Sequence, residues 1–341
     1  MINFRSISIA SLIAFSLASP VEATEKLRLS TPIPASHPLM TKVLKPWAAN
    51  VKEVTEGRVV VRIMPKIVGS YAGQFDVAAT GQADISMGNQ SYSPGRFKQY
   101  AFAELPGLGD RAEATSVAFW DTYNQYFGPK DEMAEVKVLS LYTAGPGQLF
   151  TTEHVVSSMD GNKGVKVRGG GEAATRVVDT LGMTSIQAPF SKAAEMISNG
   201  VVDGAMLERS LVPVFGFDRY FKNRFVYPGG LFNVSYFMVM NKKSWAELDP
   251  KDQAAIDAIS GQVLAQQFGQ VWDEIGVSAD KAFLDSGMLT TAAEGPLKEN
   301  LAEAFKAYEK TWIDSVSADG FDGQEIIDSY RALVNEIEQG L

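Results

Sequence analysis

The chain has 341 residues and a formal net charge of -9, because 31 lysines and arginines are outnumbered by 40 aspartates and glutamates. An acidic surface repels nucleic acid and anionic membranes at long range, so neither is an expected partner. The chain has no cysteine and only two histidines, which excludes disulfides, thiolate metal sites and a cysteine nucleophile and predicts no bound metal or cofactor.

Residues 1–23 have the pattern of a secretory signal peptide. Arg5 precedes an uncharged run rich in apolar residues and serine, and Val21-Glu22-Ala23 presents small residues at the positions that a signal peptidase reads. The uncharged run, residues 6–21, is shorter than the roughly 20 apolar residues that span a bilayer. We therefore expect an exported, periplasmic protein without a membrane-inserted segment.

The mature chain alternates strands and helices in two similar halves. The spacing of apolar residues predicts strands at 26–30, 58–64 and 83–87 with helices at 40–55 and 74–80, then strands at 164–168, 184–187 and 201–206 with helices at 172–181 and 191–198. In both halves a Gly-x-x-Asp motif, beginning at Gly81 and Gly200, separates a helix from a strand. This order is typical of βαβ units with a largely parallel sheet, and its repetition indicates two lobes.

The C-terminal third is predicted to be helical. Asp249-Pro250 is a helix start, and apolar residues recur from there to Ile275 at helical spacing. This pattern predicts one unusually long helix, interrupted by glycines, that runs across both lobes. Residues 297–340 predict two or three amphipathic surface helices. Since no Ser/Gly linker occurs, we expect crossing strands to join the lobes.

The segment 163–172 carries the clearest chemical signal. Arg168 ends a predicted strand, a run of three glycines follows, and a helix begins at Glu172. The N–H groups and the dipole at a helix N-terminus favour an anion, and the planar fork of an arginine matches a carboxylate. The alternative is that Arg168 is an ordinary surface arginine beside a glycine turn.

Catalytic and nucleotide-binding interpretations are less favoured. Gly169-x-Gly171-x-x-Ala174 fits the dinucleotide fingerprint, but no acidic residue lies at the end of the following strand, 184–187, to hold a ribose. His37 is a lone histidine in a proline-rich loop, a setting more typical of a structural residue or a simple cleft donor than of a catalytic base, and the chain contains no G-x-S-x-G or H-E-x-x-H motif. We expect a binding protein that is not an enzyme, and an exported hydrolase remains the alternative of a different class.

Several segments together resemble the extracytoplasmic solute receptors of TRAP transporters over essentially the whole mature chain. They are Ser36-His37-Pro38, Ser93-Pro94-Gly95-Arg96-Phe97, Gly164-Val165-Lys166-Val167-Arg168, Gly200-Val201-Val202-Asp203-Gly204 and Met240-Asn241-Lys242. The resemblance implies a bilobed α/β periplasmic-binding-protein fold, of the Venus-flytrap and type II-like kind, with hinge strands and a long helix spanning both lobes. We expect lobe I at 24–146 plus 235–270 and lobe II at 147–234 plus 271–341. The implied partner is a membrane permease that receives the ligand.

The resemblance also implies where the ligand binds, with its carboxylate on Arg168. The other expected cleft residues are His37, Gln90, Tyr92, Gln148, Phe190, Leu207, Asn233 and Tyr236, whereas Phe232 is expected to pack in the core. Gln148 and Leu207 stand where many dicarboxylate and sialic-acid receptors carry an arginine and an asparagine. A second carboxylate would lack a partner there, so we expect a monocarboxylate such as a 2-oxo, hydroxy or aromatic acid. A C4-dicarboxylate is the alternative.

Overall fold

The protein is built as two α/β lobes, each around its own β-sheet. The computed structural model describes residues 25–93, 95–127 and 131–340. The predicted signal peptide, residues 1–23, lies outside the described residues. Within the described part of the chain, no helix is long and apolar enough to cross a membrane.

The strands and helices alternate as predicted through both halves of the chain. The strands are β1 (Glu25–Ser30), β2 (Val59–Ile63), β3 (Ile85–Asn89), β4 (Val136–Thr143), β5 (Gly147–Thr151), β6 (Lys166–Gly169), β7 (Thr184–Gln187), β8 (Gly204–Glu208), β9 (Asn223–Val226), β10 (Ser235–Asn241) and β11 (Leu289–Ala292). The α-helices are α1 (Lys45–Val54), α2 (Gln74–Ala79), α3 (Ala112–Tyr126), α4 (Glu172–Thr180), α5 (Phe190–Ser198), α6 (Leu211–Val214), α7 (Lys242–Ala246), α8 (Pro250–Ala258), α9 (Gly261–Asp285), α10 (Gly295–Ala318) and α11 (Gly323–Glu338). A π-helical turn (Met40–Leu44) leads into α1, and 3-10 helices occupy Gln90–Tyr92, Lys98–Glu104 and Asp160–Asn162.

The two sheets are mixed rather than largely parallel. The first has the order β2-β1-β3-β10-β4 and the second the order β11-β9-β5-β8-β6-β7. The predicted βαβ strands are parallel to one another, but β10 pairs antiparallel with β3 and β4, and β5 pairs antiparallel with β8 and β9. The expectation of a largely parallel sheet was wrong for these strands, because the chain passes between the sheets and enters each one in the opposite direction.

The two Gly-x-x-Asp motifs have the same structure in both lobes. Gly81 and Gly200 end their helices with φ angles of 72° and 65°, which glycine adopts at little cost. The Asp84 carboxylate then accepts the Arg28 N–H at 2.8 Å, and the Asp203 carboxylate accepts the Lys166 N–H at 2.8 Å. Each aspartate therefore accepts a hydrogen bond from a backbone N–H of the neighbouring parallel strand, β1 or β6. This shared contact supports the prediction of two similar lobes.

Two crossing strands join the lobes. The chain leaves β4 for β5 through residues 144–146 and returns from β9 to β10 through residues 227–234. These segments bond to each other, since the Ala144 N–H donates to the Val234 carbonyl at 3.1 Å, and the Gly147 N–H at the start of β5 donates to the Phe232 carbonyl at 2.7 Å. A Cβ on Gly147 would lie 2.2 Å from the Phe232 ring, so only glycine allows this approach. The pairing forms a narrow hinge beside the interlobe space.

The long helix that spans the lobes begins later in the sequence than predicted. The periodic pattern from residue 250 is divided into α8 and α9 by Ser260 and by Gly261, whose φ is 60°. α9 has 25 residues, or about 37 Å at 1.5 Å per residue. Its first half packs on α3 and β4, since Gly269 lies against the Glu113 backbone and Phe268 stacks on Tyr142. Near its end, Asp280 forms ion pairs with Arg209 and Arg224 of the second lobe. The prediction of a helix spanning both lobes is confirmed.

The C-terminal segment divides between the lobes. Phe305, in the first half of α10, packs on Tyr227, whereas the Trp312 indole N–H donates to the Lys98 carbonyl at 3.0 Å. α11 packs on α3, and its Tyr330 ring meets Phe102 at 5.1 Å. This packing differs from the predicted lobe II, which included all of 271–341. Because α11 buries its apolar face against α3, we propose that α11 belongs to lobe I and that α10 is a further connection between the lobes.

Candidate ligand-binding site

A cavity lies between the two lobes, next to the hinge. The first lobe borders it with the segments that follow β1 and β3, and the second lobe borders it with the segments that follow β6 and β8. Its empty space, including solvent at the open mouth, is about 860 Å³. Ligands of α/β sheets bind at the carboxyl ends of strands, so this cavity is the candidate site.

Arg168 lies at the end of β6 and is 3% exposed. Its Nε donates to the Ala188 carbonyl at 2.9 Å, and its Nη1 donates to the Met206 carbonyl at 3.2 Å. Among the described residues, its Nη2 has no hydrogen-bond partner. Two bonds therefore hold the guanidinium in place, while a buried and charged donor remains for an anion. Leaving such a group unpaired costs about 1–3 kcal/mol or more.

Two buried glutamates, Glu104 and Glu208, also border the cavity. Burial raises the pKa of Glu104, whose carboxylate accepts hydrogen bonds from the Ser235 hydroxyl at 2.6 Å, the Ser235 N–H at 3.1 Å and the Ser91 hydroxyl. Burial raises the pKa of Glu208 to about 7, and its own N–H and Arg168 oppose this shift. The cavity thus combines one arginine with acids that burial drives toward their neutral forms.

Aromatic rings form much of the cavity wall. Phe190 meets Phe215 edge to face with ring centres 4.8 Å apart, and Tyr142 stacks on Tyr236 at 5.3 Å. Trp272 of α9 lies 6.3 Å from the Tyr236 ring. The Trp272 Nε1 is buried and has no partner within the described parts of the chain. This wall offers flat apolar surfaces for a ring and one further hydrogen-bond donor.

His37 is buried in the same wall, with its ring 5.6 Å from Trp272 and 6.1 Å from Phe215. Burial lowers the pKa of His37 to about 4, so the ring is neutral at neutral pH. Its Nδ1 accepts the Leu39 N–H at 3.1 Å, which places the ring proton on Nε2. His37 is therefore a neutral donor in the cavity wall.

The lobes are closed over the cavity, and Tyr92 and Ser91 of the first lobe form two of the contacts between them. The Tyr92 hydroxyl, which follows β3 in the first lobe, accepts the N–H of Phe190 at the start of α5 at 3.1 Å. Ser91 lies directly against Gly171 at the start of α4. Both contacts exist only when the lobes are together, so both stabilise the closed form.

Tyr92→Phe should weaken ligand binding by about 1 kcal/mol, or roughly fivefold, the usual contribution of one such hydrogen bond. The change keeps the ring and removes the hydroxyl, which accepts the Phe190 N–H and also interacts with the Arg168 guanidinium. Titration calorimetry with the ligand measures it. The control is Tyr220→Phe, whose hydroxyl accepts from Arg219 on the protein surface and which should bind as wild type does. Equal affinities for both variants would contradict the role of this contact in closure.

The structure brings six of the nine predicted site residues together at the cavity: Arg168, His37, Tyr92, Phe190, Asn233 and Tyr236. That they bind the ligand remains a prediction. Phe232 packs in the core, as expected, and its ring also borders the cavity.

The other three predicted residues do not line this cavity. Gln148 and Leu207 are direct cross-strand partners on β5 and β8, and Leu207 packs in a separate apolar cluster with Phe150. The residues of β8 that border the cavity are Met206 and Glu208, on either side of Leu207, because successive side chains of a strand point to opposite faces. Gln90 lies at an adjacent cavity, where its Oε1 accepts the Ser235 hydroxyl.

The most important residues that sequence reasoning missed are Glu208, Glu104, Trp272, Tyr71 and Phe215. Glu208 lies four residues beyond Gly204, where the segment that carries the resemblance ends, and no alternation of polar and apolar residues in β8 marks it. Trp272 follows the apolar pattern of α9 and has no signal that separates it from a core residue.

The comparisons with known proteins all indicate the same family. The model for bacterial extracellular solute-binding proteins, family 7 (DctP), matches residues 29–315. The outer membrane transporter protein TsaT of Comamonas testosteroni is 30% identical over 334 residues, covering 97% of this chain and 98% of that protein.

Two solved structures are similar over nearly the whole fold. A TRAP periplasmic solute-binding protein from Bordetella bronchiseptica, with bound (R)-mandelate and (S)-mandelate, is 33% identical with a TM-score of 0.87, covering 92% of this chain and 99% of its own. A marine metagenome TRAP solute-binding protein specific for aromatic acid ligands, in complex with 3-hydroxybenzoate, is 28% identical with a TM-score of 0.84, with the same coverage of 92% and 99%.

Proposed function

This chain belongs to family 7 of the bacterial extracellular solute-binding proteins, the periplasmic receptors of TRAP transporters, and we propose that its ligand is an aromatic monocarboxylate held in the interlobe cavity. The ligand carboxylate binds Arg168 and its ring lies among the aromatic side chains of the wall. The closed receptor then delivers the ligand to the membrane permease.

The observation that carries this proposal is the unpartnered Nη2 of Arg168 in a cavity walled by aromatic rings. A carboxylate accepts from this donor with a charge-assisted bond, and the wall covers an aromatic ring better than a short aliphatic chain. A second carboxylate would meet Glu208 and Glu104 and no further arginine or lysine of the cavity lining. Burying it unpaired costs several kcal/mol, which disfavours C4-dicarboxylates.

The two similar structures support the same ligand class. One holds both enantiomers of mandelate, a hydroxy acid with an aromatic ring, and the other holds 3-hydroxybenzoate. Both ligands carry one carboxylate, one ring and one hydroxyl. The hydroxyl has hydrogen-bonding candidates in this cavity, namely the His37 and Trp272 ring N–H groups and the Glu208 carboxyl.

We also propose that the protein binds its ligand without converting it, unlike an exported hydrolase. His37 is neutral and lies beside aromatic rings, and no serine, threonine or lysine nucleophile pairs with it among the described hydrogen bonds. Ligand recovered chemically unchanged after long incubation, as seen by NMR, is the expected result, and any turnover would favour the hydrolase alternative.

A thermal-shift screen tests the ligand class. Mandelate, 3-hydroxybenzoate and benzoate should each raise the melting temperature by several degrees, since ligand at about 100 times Kd stabilises the folded state by about 2.7 kcal/mol. Succinate and malate at the same concentrations should raise it far less. A larger shift with a C4-dicarboxylate than with every aromatic acid would overturn the proposal.

A further inference from the structure

Two acids and one arginine share the interlobe cavity, and the two acids differ in the hydrogen bonds that their carboxyl groups accept. Glu104 is held by Ser91 and Ser235, which together donate three hydrogen bonds to its carboxylate. Within the described residues, the hydrogen-bond donor of the Glu208 carboxyl is its own backbone N–H. Glu208 is 5% exposed and borders the cavity at the end of β8, so its carboxyl is available to a ligand.

Other titratable groups near Glu208 do not supply a second positive charge. The groups that face it across the cavity or interact with it electrostatically are Arg168 on β6, Glu104 at the end of the 3-10 helix 98–104, Tyr71 in the loop before α2, Tyr92 in the 3-10 helix 90–92, Tyr236 on β10 and His37 after β1. Burial raises the pKa of each of these tyrosines and lowers that of His37, so all four are neutral at neutral pH. The next residue, Arg209, pairs instead with Asp280.

A bound ligand carboxylate and an ionised Glu208 would compete for the positive charge of Arg168, whereas Glu104 has three hydrogen-bond donors of its own. Arg168 can neutralise a single anion. If Glu208 remained ionised beside a bound carboxylate, a buried site would hold two anions for one cation, and like charges at close range disfavour ionisation of one of them. A neutral Glu208 removes this repulsion and supplies an O–H donor to the ligand, in addition to the N–H of Arg168.

We propose that Glu208 binds the ligand as a neutral carboxylic acid, so that wherever the free protein holds Glu208 ionised each ligand anion enters the cavity together with one proton. The proton moves from solvent to a Glu208 carboxylate oxygen, and no other bond forms or breaks. This inference rests on the proposed function, because it requires a carboxylate ligand beside Arg168.

The direction in which ligand affinity changes with pH follows from the pKa of Glu208 in the free protein. Burial raises the pKa of Glu208 to about 7 in the empty cavity, and a bound anion raises it further. Below this value Glu208 already carries its proton, and affinity is flat. Above it the proton must be taken up on binding, so affinity falls by up to about tenfold for each pH unit.

Titration calorimetry with mandelate tests the inference. Wild-type protein should bind with constant affinity near pH 6 and more weakly by about tenfold per unit above pH 7.5. At about pH 8.5, measurements in phosphate and in Tris, whose ionisation enthalpies differ, should show uptake of close to one proton per ligand. Glu208→Gln, which is isosteric and permanently neutral, should lose both the pH dependence and the proton uptake. Glu104→Gln should keep the slope whatever its affinity.

Binding by the wild type without proton uptake, with a flat affinity from about pH 6 to 9, would overturn the inference alone. A slope that persists in Glu208→Gln and disappears in Glu104→Gln would assign the proton to Glu104 and overturn it also. The wild-type buffer comparison does not depend on either variant folding. Failure of mandelate, 3-hydroxybenzoate and benzoate to bind at any pH would overturn the proposed function and this inference with it.

Discussion

Arg168→Ala should weaken binding of an aromatic carboxylate by about 2–5 kcal/mol, on the order of thirtyfold to several thousandfold, the range measured when one partner of a buried charge pair is removed. The guanidinium is 3% exposed and already oriented by the Ala188 and Met206 carbonyls. The ligand therefore gains its bond to Nη2 without ordering a flexible side chain, and the alanine variant leaves the ligand charge buried without a partner.

Calorimetry with mandelate measures this loss, and two further variants make it specific. Arg176→Ala removes an exposed arginine of α4 that pairs with Glu172, and should bind as wild type does. Arg168→Lys keeps the charge but loses the planar fork, and should lie between wild type and alanine. Thermal unfolding of each variant checks the fold. An Arg168→Ala protein that is folded and binds with unchanged affinity would remove Arg168 from the site.

Gly171→Ala should weaken binding by about 1–3 kcal/mol, the usual cost of overpacking a closed contact. A Cβ at this position would lie 2.7 Å from the Ser91 Cβ and 3.1 Å from its hydroxyl oxygen. Gly171 has a φ of -165°, which alanine adopts freely, so the penalty comes from the contact with the opposite lobe. The open form has no such contact, and the variant shifts the population toward it.

Small-angle scattering and calorimetry together test this closure. With saturating ligand, Gly171→Ala should have a larger radius of gyration than wild type and a weaker affinity. The double variant Gly171→Ala with Ser91→Gly removes the clash and should recover much of the affinity relative to Ser91→Gly alone, which also loses the hydrogen bond to Glu104. Unchanged affinity and scattering in the single variant would show that the closed arrangement is not the one that binds ligand.

The position of Arg168 at the cavity could be predicted from the sequence because several local signals coincide at this residue. A strand end, three glycines and a helix start occur together there, and the glycines allow the backbone to pass close to Ser91 and to the guanidinium. The family resemblance then placed Tyr92, Phe190 and Tyr236 correctly at the cavity. A family resemblance indicates where whole segments lie in the fold. It does not indicate which way an individual side chain points, because that depends on the strand register.

The errors at Gln148 and Leu207 have this origin. β5 and β8 are buried along their whole length, so the sequence shows no alternation of polar and apolar residues that would mark the cavity face. A shift of one residue exchanges the two faces of a strand. Glu208 was missed for the same reason, although it is the residue that we expect to take up a proton when the ligand binds.

Long-range packing limited the prediction elsewhere. The break before α9 depends on the positive φ of Gly261 and on the contact of this glycine with Trp120, neither of which is visible in the helical periodicity. The division of α10 and α11 between the lobes depends on Trp312 and Tyr330, which reach partners more than 200 residues away in sequence. Amphipathic spacing identifies a buried face and does not identify its partner.

A crystal structure of the complex with mandelate tests the central claim most directly. We expect the ligand in the interlobe cavity with a carboxylate oxygen within hydrogen-bonding distance of Arg168 Nη2, the ring against Phe190 and Phe215, and the lobes closed through Tyr92 and Ser91. A ligand bound elsewhere, or one whose carboxylate points away from Arg168, would contradict the account.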